Sequence, residues 1–460
     1  MTKRVLRFTV GFIGAVLALA GCENPTAATD SNVQSVEWVW TAGSGTASLS
    51  GLYGRKGVAN SANLPGGRSG AVSWTDASGN LWLFSGSGLD SEGSSGYLND
   101  RWMFDGNAWT WVAGGTTVNQ SGTHGTKGVA SVTNVPGARA NAVTWSDANG
   151  NLWLFGGSGY DGTGTLGLLN DLWLFDGTAW TWVSGSSERN QFGSYGTKGV
   201  GNAANVPGAR DGAASWSDAN GNLWLFGGLG YGSGVYGYLN DLWVSDGSAW
   251  TWVSGSDLTA RAGTYGTKSV PDADNAPGAR SGAMSWSDAS GNLWLFGGSG
   301  HDGTGSFGYL NDLWVFDGNA WTWVSGSSTR DGSGTYGTKG ETDAANVPRA
   351  RSSAMTWSDA NGNLWLFGGF SRQDGGLIGR LNDLWRYDGD AWTWVAGSSE
   401  FNKPGAYSTK GVANATNVPG ARTSAMTWSD ANGNLWLFGG SGYDAAGSWG
   451  SLSDLWRFRP

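Results

Sequence analysis

Apolar runs about four residues long recur along this chain between clusters of Gly, Asn and Asp. The stretch from Ala142 to Val183 shows the arrangement. Ala142–Trp145 gives way to Asp147-Ala148-Asn149-Gly150, and then come Leu152-Trp153-Leu154-Phe155 and Gly156-Gly157. A Gly-rich loop follows, Asn170-Asp171 leads into Leu172–Phe175, and Asp176-Gly177 separates that run from Trp180–Val183. Asn-Gly and Asp-Gly between apolar runs favour hairpins, because these residues tolerate positive φ. The pattern predicts a meander of four antiparallel strands. Leu152 and Leu154 point one way and Trp153 and Phe155 the other, so both faces of the sheet should be buried; a sheet with one wet face would alternate with polar residues. The tryptophans are therefore expected to pack between sheets rather than to line a ligand site.

The unit repeats. An arginine recurs in Pro-Gly-Ala-Arg or a close variant as Arg68, Arg139, Arg210, Arg280, Arg351 and Arg422, at steps of 71, 71, 70, 71 and 71 residues. A fixed period of this kind marks a repeat architecture, and six units is a propeller number. The last unit ends at its third strand, Asp454-Leu455-Trp456-Arg457-Phe458, while a matching tryptophan strand, Trp38-Val39-Trp40, stands at the other end of the chain. It should pair with the C-terminal strand and close the ring, leaving no free edge. With that strand counted, five tryptophans per unit account for all of the 31 except Trp449.

An Arg-led strand, an apolar strand ending in Gly-Gly, Leu-Asn-Asp-Leu-Trp and a tryptophan strand together resemble the kelch repeat, over residues 36–460. The resemblance implies an all-β, six-bladed kelch-type β-propeller like that of galactose oxidase. It departs from the usual repeat in its longer connections between blades. Copper-radical oxidases of this family use two histidines, two tyrosines and a cross-linked cysteine. Here His124 and His301 are the only histidines, in different units, and Cys22 is the only cysteine. A copper site of that type is not expected, nor any other cofactor.

The chain begins with Lys3, Arg4 and Arg7 before an apolar run, Phe8–Ala20. The run is too short for a mature membrane helix and reads as a signal peptide. Its end, Leu19-Ala20-Gly21-Cys22, resembles the lipobox of bacterial lipoproteins, which implies lipidation of Cys22. Residues 1–22 are thus expected to be a targeting segment, 23–35 a flexible tether, and 36–460 the propeller. The mature protein would be a monomer outside the cytoplasm, held to the cell envelope by its lipid alone. The net charge of −9 argues against nucleic-acid binding.

Because strands alternate direction, the short turns at Asp147 and Asp176 fall on one rim, and the long Gly-rich loop and the connection from Gly185 to Pro207 on the other. The long-loop rim is the expected binding face. Residues present in every unit should serve the scaffold. The six arginines, with Asp100, Asp171, Asp241, Asp312, Asp383 and Asp454, are expected to tie blades together through charge-assisted hydrogen bonds. Lys127, Lys198, Lys268 and Lys339 should give a solvated loop surface. The Asp-Ala-Asn-Gly-Asn segments read as hairpin turns rather than calcium loops.

Departures from repetition are the candidates for function. Asp211 is an acid where the other units have Ser69, Ala140, Ser281, Ser352 and Thr423. The fifth unit carries Phe370, Arg372 and Arg380, besides Arg349 and Arg386. Trp449 stands where others have Leu166, Tyr236, Phe307 or Ile378, and the plainer expectation is that it packs against loop neighbours. Tyr160, Tyr231, His301 and Tyr443 share one loop position. Aromatic rings on such a rim can stack on sugars. The acids Asp211, Asp374 and Glu92 are not paired as glycoside hydrolysis requires. These features point to a non-catalytic protein that binds a glycan or protein ligand, with a metal-free carbohydrate-active propeller as the alternative.

Overall fold

Within each repeat the four expected strands form, and in five of the six the middle two are longer than their apolar runs suggest; in the first they are interrupted after Phe84 and before Arg101. The computed structural model describes residues 37–460 apart from Ala148, Ala219, Ala289, Asp374 and Gly375; the signal segment, the tether and Cys22 lie outside the described residues. In the second blade, Arg139–Ala140 and Val143–Ser146 form the inner strand, followed by Leu152–Tyr160, Leu166–Phe175 and the outer strand Trp180–Ser184. The Gly156-Gly157 pair therefore does not open a long loop, as the sequence suggested. It is a bulge: both glycines have positive φ, the pairing shifts register between Phe155 and Gly157, and the ladder resumes up to Tyr160 opposite Leu166. Only a tight turn, Asp161–Thr165, remains, held by the Asp161 carboxylate, which accepts from Thr163 N, Thr165 N and Arg189 N.

Six such blades make an all-β propeller with no helix among the described residues. Burial on both faces is confirmed: Leu154 and Phe155, neighbours that point to opposite faces, are both buried. The ring closes as the arithmetic required. Trp38–Ala42 pairs antiparallel with Trp449–Phe458, Trp38 opposite Phe458 and Trp40 opposite Trp456, and supplies the outer strand of the sixth blade. The long connections cover the outer strands. Gly128 N donates to Trp182 O and Ser131 N to Trp180 O, and the same pattern protects the closing strand through Gly411 N to Trp40 O. That is what the extra length does: among the described residues, each of the six outer strands accepts such a bond on its free edge.

The arginine side chains do not join blades. Arg139 grips Asp171 of its own blade in a two-pronged pair at 2.7 Å and also donates to the carbonyls of Gly137 and Gly156. Every blade repeats this pair, fully buried. The carboxylate also accepts from Trp173 Nε1 and, in the other five blades, from a tyrosine such as Tyr195 or Tyr265. The arginine fork spans only the strands of one sheet, which is why it cannot reach the next. Blades are joined instead by inner-strand tryptophans: Trp145 Nε1 donates to Trp224 O, and Trp428 Nε1 to Trp82 O across the closure. The repeated lysines are not simply solvated either. Lys127 Nζ lies 4.3 Å from the Trp182 ring centroid and donates to Gly185 O, a clasp repeated down to Lys410 over Trp40.

Candidate functional site

On the long-loop rim, each blade presents a short row of three side chains set side by side by strand pairing. In four blades the row is built mostly from small or hydroxyl residues, such as Ser281, Ser299 and Tyr309. Blade three has Asp211, Leu229 and Tyr238, and blade five has Ser352, Phe370 and Arg380. Departure from the repeat therefore occurs in whole rows.

The inner end of each row borders the propeller axis. Next to it stand Gly70, Asn141, Gly212, Gly282, Ser353 and Ser424, all at positive φ. Their peptides form a closed circle of hydrogen bonds: Asn141 N donates to Gly70 O, Gly212 N to Asn141 O, and so on round to Gly70 N and Ser424 O, at 2.7–3.1 Å. The left-handed backbone turns each N–H sideways toward the neighbouring blade, a conformation glycine adopts freely and Asn tolerates. Every N–H of the circle is spent on a neighbour, while the carbonyls other than that of Gly212, which also accepts from Ser281 Oγ, keep a second lone pair. The axial cavity beside it, about 260 Å³, is thus rich in acceptors, and Asp211 is the only charged residue lining it among the described residues. Burial pushes the Asp211 carboxyl up to about 6, and a hydrogen bond from the Asn141 side chain brings it only part-way back.

The second concentration lies between blades five and six. The Arg380 guanidinium sits 5.4 Å from the Phe370 ring and 5.4 Å from the Trp449 ring, so two aromatic faces flank one cation. Its Nε donates to Ser441 O and its Nη2 to Ser441 Oγ on blade six. The remaining N–H groups meet no carboxylate among the described residues. Tyr443 pairs with Trp449 across their hairpin, and Arg372, exposed, ends the strand opposite Ile378. Trp449 is 60 % exposed, so the expectation that it packs away against loop neighbours is corrected. It begins a strand at the hairpin tip, opposite Tyr443 and beside the Arg380 guanidinium, with the rest of its ring in solvent.

No protein-family model matches the chain, and no curated protein does. Among solved structures it is similar to that of YjhT, with a TM-score of 0.48 and 13 % identity over 88 % of this chain and 95 % of that one. It is also similar to a fungal alcohol oxidase of the AA5 family in complex with copper, with a TM-score of 0.45 and 13 % identity over 89 % and 77 %. Likeness of that degree assigns no chemistry to this chain.

Phe370, Arg380, Tyr443 and Trp449 are thus brought together, while Asp211 stands apart on the axis. Tyr160, Tyr231 and His301 end strands rather than occupying loops, and each has its own aromatic neighbours: Tyr160 meets Tyr97, Tyr231 meets Phe192 and Tyr236, and His301 meets Tyr238 and Phe307. Glu92 is at a turn tip, donating its N–H to Asp90, and Asp374 lies outside the described residues. Tyr97, Tyr238 and Tyr309 were missed. Their signal was available: each stands immediately before Leu-Asn-Asp. His124 is not a free imidazole. It takes the tyrosine's place in the buried network of blade two, its Nε2 3.4 Å from Asp171 and its ring 4.8 Å from Trp173.

Proposed function

We propose that this protein is a non-catalytic, lipid-anchored component of the bacterial cell envelope that binds a glycan or a protein through the long-loop rim. The observation that carries this reading is the blade five–six groove. An arginine with unspent donors lies between two aromatic rings, one of them exposed, at a place where the other blades carry mostly hydroxyl, aliphatic or tyrosine side chains. Flat rings beside directed donors suit a sugar ring and its hydroxyl or carboxylate substituents. The envelope location rests on the lipobox resemblance at Cys22. A glycan array probed with the mature protein tests the ligand class. Binding that Trp449→Ala and Arg380→Ala both abolish supports the reading, and binding untouched by either removes this groove from it. Release of Cys22→Ser from the membrane fraction tests the anchor.

A carbohydrate-active enzyme is the second reading, favoured by the Asp211 carboxyl, whose elevated pKa suits a general acid near neutrality. It requires a second carboxylate, and none lines the axial cavity among the described residues.

A further inference from the structure

Blade one differs from its sisters at a buried position. Where Leu172, Leu242, Leu313, Leu384 and Leu455 stand opposite a phenylalanine on the adjacent strand, blade one has Arg101 opposite Phe84. Arg101 is 8 % exposed. Its guanidinium lies 4.0 Å from the Phe175 ring centroid of blade two and 5.7 Å from that of Trp82. No carboxylate reaches it among the described residues, and its Nε has no hydrogen-bond partner. A buried cation without a counter-charge is costly, and aromatic faces offset only part of that cost.

Beside Arg101 is a cavity of about 70 Å³ in the seam between blades one and two, with no acidic residue in its wall among the described residues. Asn99, also in the wall, departs from its sisters too. Asn170, Asn240, Asn311 and Asn382 each donate their amide N–H to a proline carbonyl, whereas the Asn99 Nδ2 makes no such bond and keeps its donors. The cavity thus combines one uncompensated cation with a spare neutral donor, in a space of a few water molecules. Burial also pulls the Arg101 pKa down to about 10, as expected of a charge lacking its partner.

We propose that this cavity is a binding site for a small monovalent anion of halide size, held by the Arg101 guanidinium and the Asn99 amide and pinning blade one to blade two. The site is independent of the rim reading. Leucine fills the position in five sister blades, so Arg101→Leu retains a side chain the fold already accepts.

The test compares the full mature chain with Arg101→Leu in sodium chloride and in sodium gluconate of equal ionic strength, which separates specific binding from screening. Chloride should raise the melting temperature of the wild type saturably above gluconate, and the excess ³⁵Cl line width should fall to the buffer value in Arg101→Leu. Asn99→Asp supplies a built-in carboxylate to the same cavity and should abolish the chloride response while leaving the protein folded, which keeps the test open if Arg101→Leu is unstable. Equal melting curves in chloride and gluconate would overturn the proposal. So would line broadening that survives in Arg101→Leu and Asn99→Asp, or stabilisation by sodium formate with none by chloride.

Discussion

The buried Arg-Asp networks and the blade five–six groove use the same residue type for opposite ends. Arg351 in blade five donates to Asp383 through both prongs, with Trp385 and Tyr336 completing the carboxylate's shell, and the ion pair itself is shut off from water. Arg380, on the strand Ile378–Tyr387 of the same blade, has aromatic neighbours, two bonds to Ser441 and donors left over. The first is saturated and occurs six times. The second is unsaturated and occurs once. Saturation marks a group whose partner is inside the molecule, and leftover donors mark one whose partner is outside it.

The harshest way to break the contrast is to remove one repeated element whole. Deleting residues 36–42 strips the sixth blade of its outer strand and the buried Trp38. The monomer peak in size-exclusion chromatography should give way to aggregate, because the strand Trp449–Phe458 becomes a bare edge. Next in size, Arg280→Ala leaves Asp312 buried without its cation and should cost about 3–5 kcal/mol in denaturant unfolding. Arg280→Lys should recover only part, since an ammonium cannot fill both prongs.

Asp211→Asn should act in the other direction. The carboxyl titrates near 6 when folded and near 3.8 otherwise, so between those values the folded chain binds more protons than the unfolded one. Stability contributed by this group therefore falls as pH rises from about 4 to 6. Above pH 6, Asp211→Asn should be more stable than the wild type by up to about 3 kcal/mol, with the gap closing below pH 4. Paired melting curves at pH 4 and 7 decide it. Smallest in stability are Trp449→Ala and Arg380→Ala, expected within about 1 kcal/mol of the wild type because the first is exposed and the second sits at a seam. Their effect should appear in ligand affinity, as a loss of tenfold or more by calorimetry. The contrast fails if Arg380→Ala unfolds the protein as Arg280→Ala does.

Much of the scaffold was legible because its physics is local or periodic. The arginine period, the apolar strands and the missing tryptophan strand each follow from counting along the chain. Gly156-Gly157 misled because adjacent glycines usually end a strand, whereas here they absorb one extra residue and let pairing continue. The tyrosines that complete the carboxylate shells were passed over, although Tyr195-Gly196-Thr197-Lys198 and Tyr265-Gly266-Thr267-Lys268 repeat them in register. They sit in connections with no strand pattern, where only the lysine drew notice. The groove could be named residue by residue but not assembled. Phe370, Arg380 and Trp449 are separated in sequence by up to 79 positions and meet only because blades five and six are neighbours.

The strand that closes the ring also determines how the molecule bears a pull. Chain preceding Trp38 enters the propeller through Trp38–Ala42, so tension on it loads that strand first. It is held by backbone pairing to Leu455–Phe458, by the Asn417 side chain on Trp38 O and by the Trp38 ring against Phe367 of blade five, 5.5 Å away. A sufficient force would peel these contacts before it strained any other blade. The first seam to loosen would be the one that carries Arg380 and Trp449.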